Sequence, residues 1–212
     1  MNYKIALYGP QGSGKGTQGE KLAEYLQVPL IVTGNIFRLN IKEKTELGSL
    51  AQKYINKGDL VPDEVTIKMI LERLSQKDCQ KGFVLDGYPR SLVQATALDK
   101  AINLTHVLVI HISDKEAVRR IANRRSCPHC GRTYHLAYKP PKKDSICDHC
   151  QTSLVQREDD TKEALIKRLN IYHQESEPIL NHYEKINILH KINGEQLIEK
   201  VWQDIKQIFI QP

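Results

Sequence analysis

Eleven residues near the start of the chain contain two overlapping glycine patterns, each typical of a different phosphate-containing ligand. Residues 9–19 read GPQGSGKGTQG. Counted from Gly9, the segment is Gly-x4-Gly-Lys, a phosphate loop whose backbone N–H groups and lysine bind the phosphates of a nucleotide. Counted from Gly14, it is Gly-x-Gly-x-x-Gly, the pattern of a dinucleotide-binding turn. The two patterns predict different ligands and different chemistry.

The distance from the first predicted strand favours the phosphate loop. A dinucleotide-binding turn follows its strand at once and requires an acidic residue about 20 positions later, at the end of the next strand. Gly14 comes six residues after Tyr8, where the first predicted strand ends, and the end of the next predicted strand, residues 32–35, reads VTGN and contains no acid. The dinucleotide pattern is therefore interpreted as an accidental overlap.

Each residue of the phosphate loop has an expected role. Gly12 and Gly14 let the backbone wrap around an anion, and the N-terminus of the following helix adds its positive dipole end. Lys15 is placed to reach the outer phosphates. Gly16 stands where a Ser or Thr usually follows the lysine, so Thr17 is the expected hydroxyl partner of Mg²⁺ or of a phosphate oxygen.

Four cysteines have the spacing of a metal site. The pattern C-x2-C-x16-C-x2-C joins Cys127, Cys130, Cys147 and Cys150. This spacing is typical of zinc held by four thiolates, and four protein ligands leave no open position, so the predicted metal is structural. Iron is the main alternative to zinc, because sites of four cysteine ligands also bind iron. His129 and His149 lie inside the two Cys-x2-Cys segments and are expected to be filler residues or to contact the ligands.

The composition is that of a globular protein with a basic bias. The 212 residues are enough for one domain with insertions, and a formal net charge of +6 suits nucleic acid, an anionic membrane, a polyanionic substrate or a solvated surface. The first residues show no apolar segment typical of a secretory signal, and no aliphatic run is long enough to span a bilayer. An odd number of cysteines, five, argues against a disulfide framework, and Cys79 is expected to be an incidental thiol.

Strands and helices are predicted to alternate along the chain, which implies an α/β fold with a parallel sheet covered on both faces. Short apolar runs predict strands at residues 3–8, 29–32, 82–86, 105–112 and 188–192. Helical periodicity predicts helices at residues 15–26, 35–44, 49–57, 63–77, 91–102, 114–125, 161–185 and 195–209.

Two segments interrupt this alternation and are predicted to be insertions. Residues 32–61 hold two short helices where one crossover helix would be enough, and residues 123–160 contain the four spaced cysteines and little helical period. The core is then formed by residues 1–31, 62–122 and 161–212.

The Gly-Lys-Gly-Thr sequence of the loop resembles the adenylate kinase family of nucleoside monophosphate kinases, whose loop reads GxPGxGKGTQ. The resemblance continues in order over nearly the whole chain. It includes TGNIFR at residues 33–38, DGYPR at 86–90 followed by Gln94, Arg124-Arg125, REDD at 157–160, and Arg168.

The resemblance implies a phosphate-loop kinase core with a five-stranded parallel sheet, an AMP-binding insertion at 32–61 and a zinc-ribbon-like lid at 123–160. The implied reaction is reversible phosphoryl transfer from Mg-ATP to AMP, giving two ADP, with a role in adenine nucleotide homeostasis and salvage. The implied cofactors are Mg²⁺ and structural Zn²⁺. Long-lid members of the family are usually monomers and, in bacteria, cytoplasmic; neither nucleic acid nor a membrane is an expected partner.

Phosphoryl transfer between two nucleotides needs no protein nucleophile, because an oxygen of the acceptor phosphate attacks. The protein positions two polyphosphates that repel each other and neutralises their charge. Arginine suits this role because its planar side chain binds phosphate through two N–H groups and stays charged. The candidate cations are Lys15, Arg38, Arg90, Arg124, Arg157 and Arg168.

The resemblance also implies individual site residues. The implied catalytic residues are Lys15, Asp86 (holding water around Mg²⁺), Arg90, Arg124, Arg157 and Arg168. Those implied for ATP are Gly12, Ser13, Gly14, Lys15, Gly16, Thr17, Arg120 (against the donor adenine), Arg124, Thr133, Tyr134 and Gln196. Those implied for AMP are Thr33, Arg38, Asp59, Leu60, Val61, Gly87, Arg90, Gln94, Arg157 and Arg168.

Several alternatives stay open at this point. Asn35 replaces the usual Asp of the family, and Gln11 replaces a common Pro; either change can shift acceptor affinity. Gln94 can instead be an ordinary helix-surface residue, Asp86 a turn cap, and Asp159 and Asp160 either orient lid arginines or lie in solvent. Arg119, Arg125 and Arg132 are expected to be solvated charges.

Two rival functions also stay open. One is another base preference within the class, with GTP as donor or UMP or CMP as acceptor. The other is a zinc-ribbon nucleic-acid binder, because Lys139, Lys142 and Lys143 make the ribbon basic, although it lacks interleaved aromatic residues.

Overall fold

The structure is a computed structural model that describes residues 2–55, 61–156 and 160–210. Three predicted site residues, Asp59, Leu60 and Arg157, lie outside the described residues. All five cysteines are free thiols. No described helix combines the length and the apolar character needed to cross a membrane.

Seven strands and eight α-helices follow one another along the described parts of the chain. The strands are β1 (Tyr3–Tyr8), β2 (Leu30–Val32), β3 (Gly82–Asp86), β4 (His106–His111), β5 (Arg124–Ser126), β6 (Thr133–His135) and β7 (Leu189–Asn193). The helices are α1 (Lys15–Leu26), α2 (Thr33–Lys42), α3 (Glu46–Ile55), α4 (Asp63–Leu74), α5 (Leu92–Ala101), α6 (Asp114–Ala122), α7 (Lys162–Lys185) and α8 (Ile198–Ile210).

Five of the strands form one sheet, in the order β2-β3-β1-β4-β7. The pairs β1–β3, β1–β4 and β2–β3 are parallel; Ile5 at the centre of β1 lies opposite Val84 on one side and His106 on the other. Strands buried on both faces are continuous apolar runs, and Ile5 and Val84 are both fully buried. The predicted α/β class with a five-stranded parallel sheet is confirmed.

The residue contacts divide the chain into two compact units. The first unit contains the residues up to Tyr8, Gly19–Val109 and Glu175–His190; the second contains Gly9–Gln18, Ile110–Gln174 and the residues from Lys191 onward. This division cuts the chain elsewhere than at the predicted insertion boundaries, and those boundaries remain predictions.

The core of the first unit lies between the sheet and its helices. Phe83 and Leu85 of β3 pack with Ile70 of α4, Leu98 of α5 and Ile179 of α7. Each of these side chains is at most 1% exposed. This packing fixes the carboxyl end of β3, where the predicted acceptor residues begin.

The second unit has a smaller apolar cluster and a separate hairpin. Ile121 of α6 packs with Leu165 and Leu169 of α7. The helix predicted over 114–125 ends at Ala122, because residues 124–126 pair with 133–135 as the antiparallel strands β5 and β6. Arg124 therefore lies on a strand at the start of the predicted lid rather than on the helix.

Candidate active site and metal centre

The loop between β1 and α1 has a backbone that only glycine accepts at its first position. Gly9 has a φ of 143°, and a Cβ there would lie 2.3 Å from the carbonyl oxygen of Ile110. Gly12 has a φ of 83°, and a Cβ would lie 3.1 Å from the carbonyl oxygen of Ala117. The glycines of the pattern therefore allow both the left-handed turns and the close approach of α6.

The ammonium group of Lys15 lies against the loop that contains it. Its Nζ donates to the carbonyl oxygens of Gly9 at 2.5 Å and Pro10 at 2.9 Å, and it lies 3.5 Å from Oγ of the buried Ser13. These carbonyls can be exchanged for phosphate oxygens, which also accept from an ammonium group. Thr17 lies two residues further on, half-buried in the first turn of α1.

Arg120 of α6 contacts the phosphate loop and the turn before α8. Its Nε donates to Glu116 at 2.6 Å, its Nη1 to the carbonyl oxygen of Gly12 at 3.4 Å, and its Nη2 to the carbonyl oxygen of Gly194 at 2.9 Å. Its guanidinium carbon is 5.9 Å from the ring centre of Tyr138. The structure thus places the predicted donor-base arginine beside the predicted phosphate loop.

Arg124 forms a two-pronged ion pair with Asp160. Nε of Arg124 donates to Oδ2 of Asp160 at 2.9 Å, and Nη2 donates to Oδ1. The Asp160 side chain is 1% exposed, so of the two open alternatives for this residue, orientation of a lid arginine is the one observed. Asp159 lies outside the described residues. Arg168, the other predicted catalytic arginine of this unit, is half-buried on α7.

The remaining predicted donor-site residues differ in what they can offer a nucleotide. Tyr134 is 4% exposed, and its hydroxyl accepts from the N–H of Asp148 at 2.8 Å and lies 3.4 Å from Sγ of Cys147. Its side chain packs in the apolar cluster with Cys127 and Cys147, and its backbone lies in the β5–β6 hairpin opposite Arg125. Thr133 is half-buried beside it, and Gln196 donates through Nε2 to Asp204 and Asn193, both at 2.8 Å.

The residues of the first unit that are predicted to bind the acceptor nucleotide AMP lie around the turn after β3. The hydroxyl of Thr33 donates to the carbonyl oxygen of Asp86 at 3.2 Å, and Nε of Arg90 donates to the carbonyl oxygen of Gly87 at 2.8 Å. Gly87 has a φ of 84°, and a Cβ there would lie 3.0 Å from Nη2 of Arg90 and 3.7 Å from Oγ1 of Thr33. Three predicted acceptor residues are therefore neighbours.

Gln94 is buried within this cluster. It is 4% exposed, which rules out the alternative of a helix-surface residue. Its Oε1 accepts from the backbone N–H of Arg90 at 2.8 Å, and its Nε2 donates to Asp63 at 2.7 Å. Asp63, which also accepts from the hydroxyl of Ser91 at 2.7 Å, is not among the residues predicted from the sequence. Its only sequence signal is an acid in the first turn of a helix, which is common without any function.

Arg38 is held on α2 by the residue that departs from the family pattern. Its Nη2 donates to Oδ1 of Asn35, one turn earlier. A Cβ at Gly34 would lie 3.2 Å from Nη1 of Arg38, so glycine leaves room for the guanidinium. Val61, the one described residue of the predicted 59–61 segment, is half-buried.

The four spaced cysteines converge in the second unit. Their sulfur atoms all lie within 4.8 Å of one another, with Cys127–Cys150 at 3.3 Å and Cys130–Cys147 at 3.6 Å. A tetrahedral zinc with Zn–S bonds of about 2.3 Å requires about 3.8 Å between sulfur atoms. The sulfur positions are therefore close to those of a tetrahedral zinc site.

The two Cys-x2-Cys segments have the same backbone hydrogen bonds. The N–H of Gly131 donates to the carbonyl oxygen of Cys127 at 3.0 Å, and the N–H of Gln151 donates to that of Cys147 at 3.0 Å. Gly131 and Gln151 both have left-handed backbones, with φ of 75° and 58°. The hydroxyl of Thr152 lies 3.3 Å from Sγ of Cys150, and hydrogen bonds from the side chain and backbone of Thr152 lower the pKa of Cys150 to about 5, whereas burial raises the pKa of Cys130 to about 12.

Comparison with known proteins extends these observations over the whole chain. A family model described as adenylate kinase matches residues 7–188. An adenylate kinase from Caldanaerobacter subterraneus subsp. tengcongensis is 46% identical over 212 residues, covering 98% of this chain and 96% of the relative. An adenylate kinase from Geobacillus sp. is 48% identical, and one from Archaeoglobus fulgidus is 45% identical, each over 209 residues and 96% of this chain; they are covered to 97% and 96% of their own lengths.

Proposed function

The chain belongs to the adenylate kinase family, and we propose that its phosphoryl transfer between ATP and AMP uses the residues grouped around the phosphate loop and the turn after β3. The reaction itself is that of the family: ATP and AMP are interconverted with two ADP, and Mg²⁺ accompanies ATP. The sequence prediction of a nucleoside monophosphate kinase is thereby confirmed. The roles of individual residues are the part that we propose.

The chemical step is an exchange at the γ-phosphorus of ATP. An oxygen of the AMP phosphate forms a bond to this phosphorus while the bond to the β–γ bridging oxygen breaks, and ADP is the leaving group. In the proposed roles, Lys15 leaves the carbonyls of its own loop and binds the outer phosphates, while the loop amides and Thr17 bind the rest of the donor. Arg124 and Arg168, together with Arg157, neutralise the charge of the migrating group.

The acceptor nucleotide is bound by the cluster in the first unit. Arg38 and Arg90 bind the AMP phosphate, and each is already oriented by an acceptor of its own, Asn35 and the carbonyl oxygen of Gly87. Thr33 and the buried amide of Gln94 contact the base. Because an amide group has more donors and lone pairs than its two observed bonds use, Gln94 retains capacity for the ligand.

The observation that carries this proposal is the placement of the Lys15 ammonium among the carbonyls of a glycine-rich loop at a helix N-terminus. The test is a coupled assay with ATP and GTP as donors and AMP, CMP and UMP as acceptors. ATP with AMP is expected to give the highest kcat/KM. Preferred turnover of another pair would replace the assignment of the bases while leaving the class of reaction intact.

A second test probes whether the protein binds donor and acceptor at once. Two adenosines joined by five phosphates span both nucleotide sites and are expected to bind at least about a hundredfold more tightly than ATP, because the second contact is intramolecular. Equal affinity for this compound and for ATP would contradict two simultaneous sites.

We also propose which residues bind the two metals of the protein. Cys127, Cys130, Cys147 and Cys150 would hold a structural zinc that stabilises the lid, and Asp86 would orient water around the Mg²⁺ that accompanies ATP. Metal analysis of the purified protein, with one zinc and no iron per chain expected, tests the first assignment.

The protein is proposed to be a cytoplasmic monomer without nucleic-acid or membrane partners. Sedimentation tests the oligomeric state, and a nucleic-acid binding assay tests the absence of that partner.

A further inference from the structure

A single carboxylate on α6 binds two consecutive arginines. Oε1 of Glu116 accepts from Nε of Arg120 at 2.6 Å and from Nη2 of Arg119 at 2.8 Å, and Oε2 accepts from Nε of Arg119 at 2.8 Å. The hydrogen bonds from Arg119, and then those from Arg120, hold the pKa of Glu116 below its ordinary value. Glu116 is therefore a carboxylate at neutral pH.

The two arginines differ in what they reach. Arg119 is 61% exposed and donates to the hydroxyl of Tyr138 at 2.6 Å. Arg120 and Glu116 have only 15% of their side chains exposed. Screening by solvent is therefore weaker for the Glu116–Arg120 pair than for the Glu116–Arg119 pair.

Each of the three nitrogens of the Arg120 guanidinium donates a hydrogen bond at the edge of the planar group. Nε meets Glu116, Nη1 meets the carbonyl oxygen of Gly12, and Nη2 meets the carbonyl oxygen of Gly194. Acceptors placed around the edge fix the plane of the group without covering its faces, and the ring of Tyr138 lies near the group, with its centre 5.9 Å from the guanidinium carbon. A guanidinium face is the part that stacks on an aromatic ring such as a nucleobase.

We propose that Glu116 is a positioning residue for the donor nucleotide, which holds Arg120 in the plane that stacks on the donor base. This inference rests on the proposed function, in which Arg120 lies against that base. The two carbonyl partners come from loops, whereas Glu116 is one turn away on the same helix and is the one charged acceptor among these three partners.

The expected advantage for ATP binding is that the Arg120 side chain is already ordered before the nucleotide arrives. A free arginine side chain has many rotamers, and ordering it on binding costs free energy that the ligand must overcome. An arginine already held by a charged acceptor loses less on binding. The expected signature is a change in ATP affinity alone, because Glu116 acts through Arg120 and not on the transferred phosphoryl group.

The experiment compares Glu116→Gln with wild-type enzyme, since glutamine keeps the size of the side chain and one acceptor oxygen but removes the charge. The KM for ATP and the dissociation constant of a non-hydrolysable ATP analogue are each expected to rise roughly fivefold. The KM for AMP and the kcat at saturating ATP are expected to stay within about twofold, a split that general destabilisation does not produce.

Two further variants fix the interpretation. Arg119→Gln removes the exposed partner of the same carboxylate and is expected to leave the KM for ATP within about twofold of wild type. Adding Glu116→Gln to Arg120→Ala is expected to cause no further rise, because the group through which Glu116 acts is already absent.

The outcomes separate this inference from the proposed function. An unchanged KM for ATP in Glu116→Gln, an equal rise in both KM values, or an additive effect in the Arg120→Ala background would overturn the positioning role while wild-type turnover of ATP with AMP still stands. A wild-type protein that binds the ATP analogue but does not use AMP would instead overturn the proposed function. Circular dichroism of each variant establishes that it is folded.

Discussion

The phosphate loop and the cysteine cluster lie in the same unit, and both are built from short segments that contain residues with left-handed backbones. They differ in whether the groups predicted to bind a ligand have hydrogen-bond partners within the protein. The Lys15 ammonium donates to two carbonyls of its own loop. The cysteine sulfurs instead face one another, with Cys127 and Cys150 3.3 Å apart.

The difference matches a ligand that leaves and one that stays. A loop that supplies its own acceptors for Lys15 remains a satisfied structure after product release, so its fold does not depend on the nucleotide. Four converging thiols have no comparable internal substitute, because two thiolates placed together repel each other without a cation. The loop should therefore control rate, and the cysteine cluster should control stability.

The largest expected effect is on rate. Lys15→Met should lower kcat/KM by roughly a thousandfold, because a fixed cation at the transferred phosphoryl group is lost. The melting temperature should stay within a few degrees of the wild-type value. Lys68→Met, at an exposed position on α4, is the control and should retain activity. If the Lys15→Met enzyme kept half of the wild-type turnover, the proposed role of Lys15 in phosphoryl transfer would be wrong.

Metal removal is expected to change stability first. Chelation, or the substitution Cys147→Ser, should lower the melting temperature by about 10 °C, since metal binding is linked to folding of the lid. Calorimetry with parallel metal analysis measures this shift. An unchanged melting temperature in a protein shown to be metal-free would contradict a structural role for the cysteine cluster.

An intermediate effect is expected at Asp160, which binds Arg124, a proposed catalytic residue. Asp160→Asn keeps the shape of the side chain but weakens the two-pronged pair with Arg124, and kcat should fall about tenfold. Asp144→Asn, at an exposed lid position, is the matched control. A loss of stability without a change in kcat would make Asp160 a structural residue only.

The smallest effect concerns the asymmetry between the two cysteine segments. Gln151 has the left-handed backbone that Gly131 has in the first segment. Gln151→Gly should therefore stabilise the zinc-bound protein by about 0.5–1 kcal/mol, because glycine removes the steric cost of a positive φ. Denaturant unfolding measures the change; destabilisation would mean that the side chain of Gln151 contributes more than its backbone strain costs.

Elements with a strong local pattern agree closely with their predicted bounds. The strands at 3–8 and 82–86 begin and end as predicted, since continuous apolar runs end there at glycine or a polar turn. The helix predicted over 114–125 is too long, because Arg124 and Arg125 are compatible with a helix and only pairing with β6 makes them a strand. The α4 helix similarly ends at Leu74 rather than at the predicted residue 77.

The partners of the site residues are largely beyond prediction from the sequence. Asp63 and Glu116 each contact a predicted functional residue, and neither has a distinctive motif. Asp160 lies in the REDD segment, where orientation of a lid arginine was one of two open alternatives, but the sequence does not say which arginine it meets. Gln94 and Asp63 are 31 residues apart, and Arg124 and Asp160 are 36 apart. Which acid meets which donor over such separations depends on how the elements pack.

The sequence by itself determined the family of the chain and the two local patterns that predict its ligands, the glycine spacing and the cysteine spacing. Glycines at fixed positions permit backbone angles that other residues resist, and cysteine spacing sets how many thiolates can reach one metal, so both signals are local. The tertiary structure decided how each cation is oriented. It placed Gly12 and Gly194 around Arg120, 108 and 74 residues away along the chain, because hydrogen bonding depends on distance in space and not on separation in sequence.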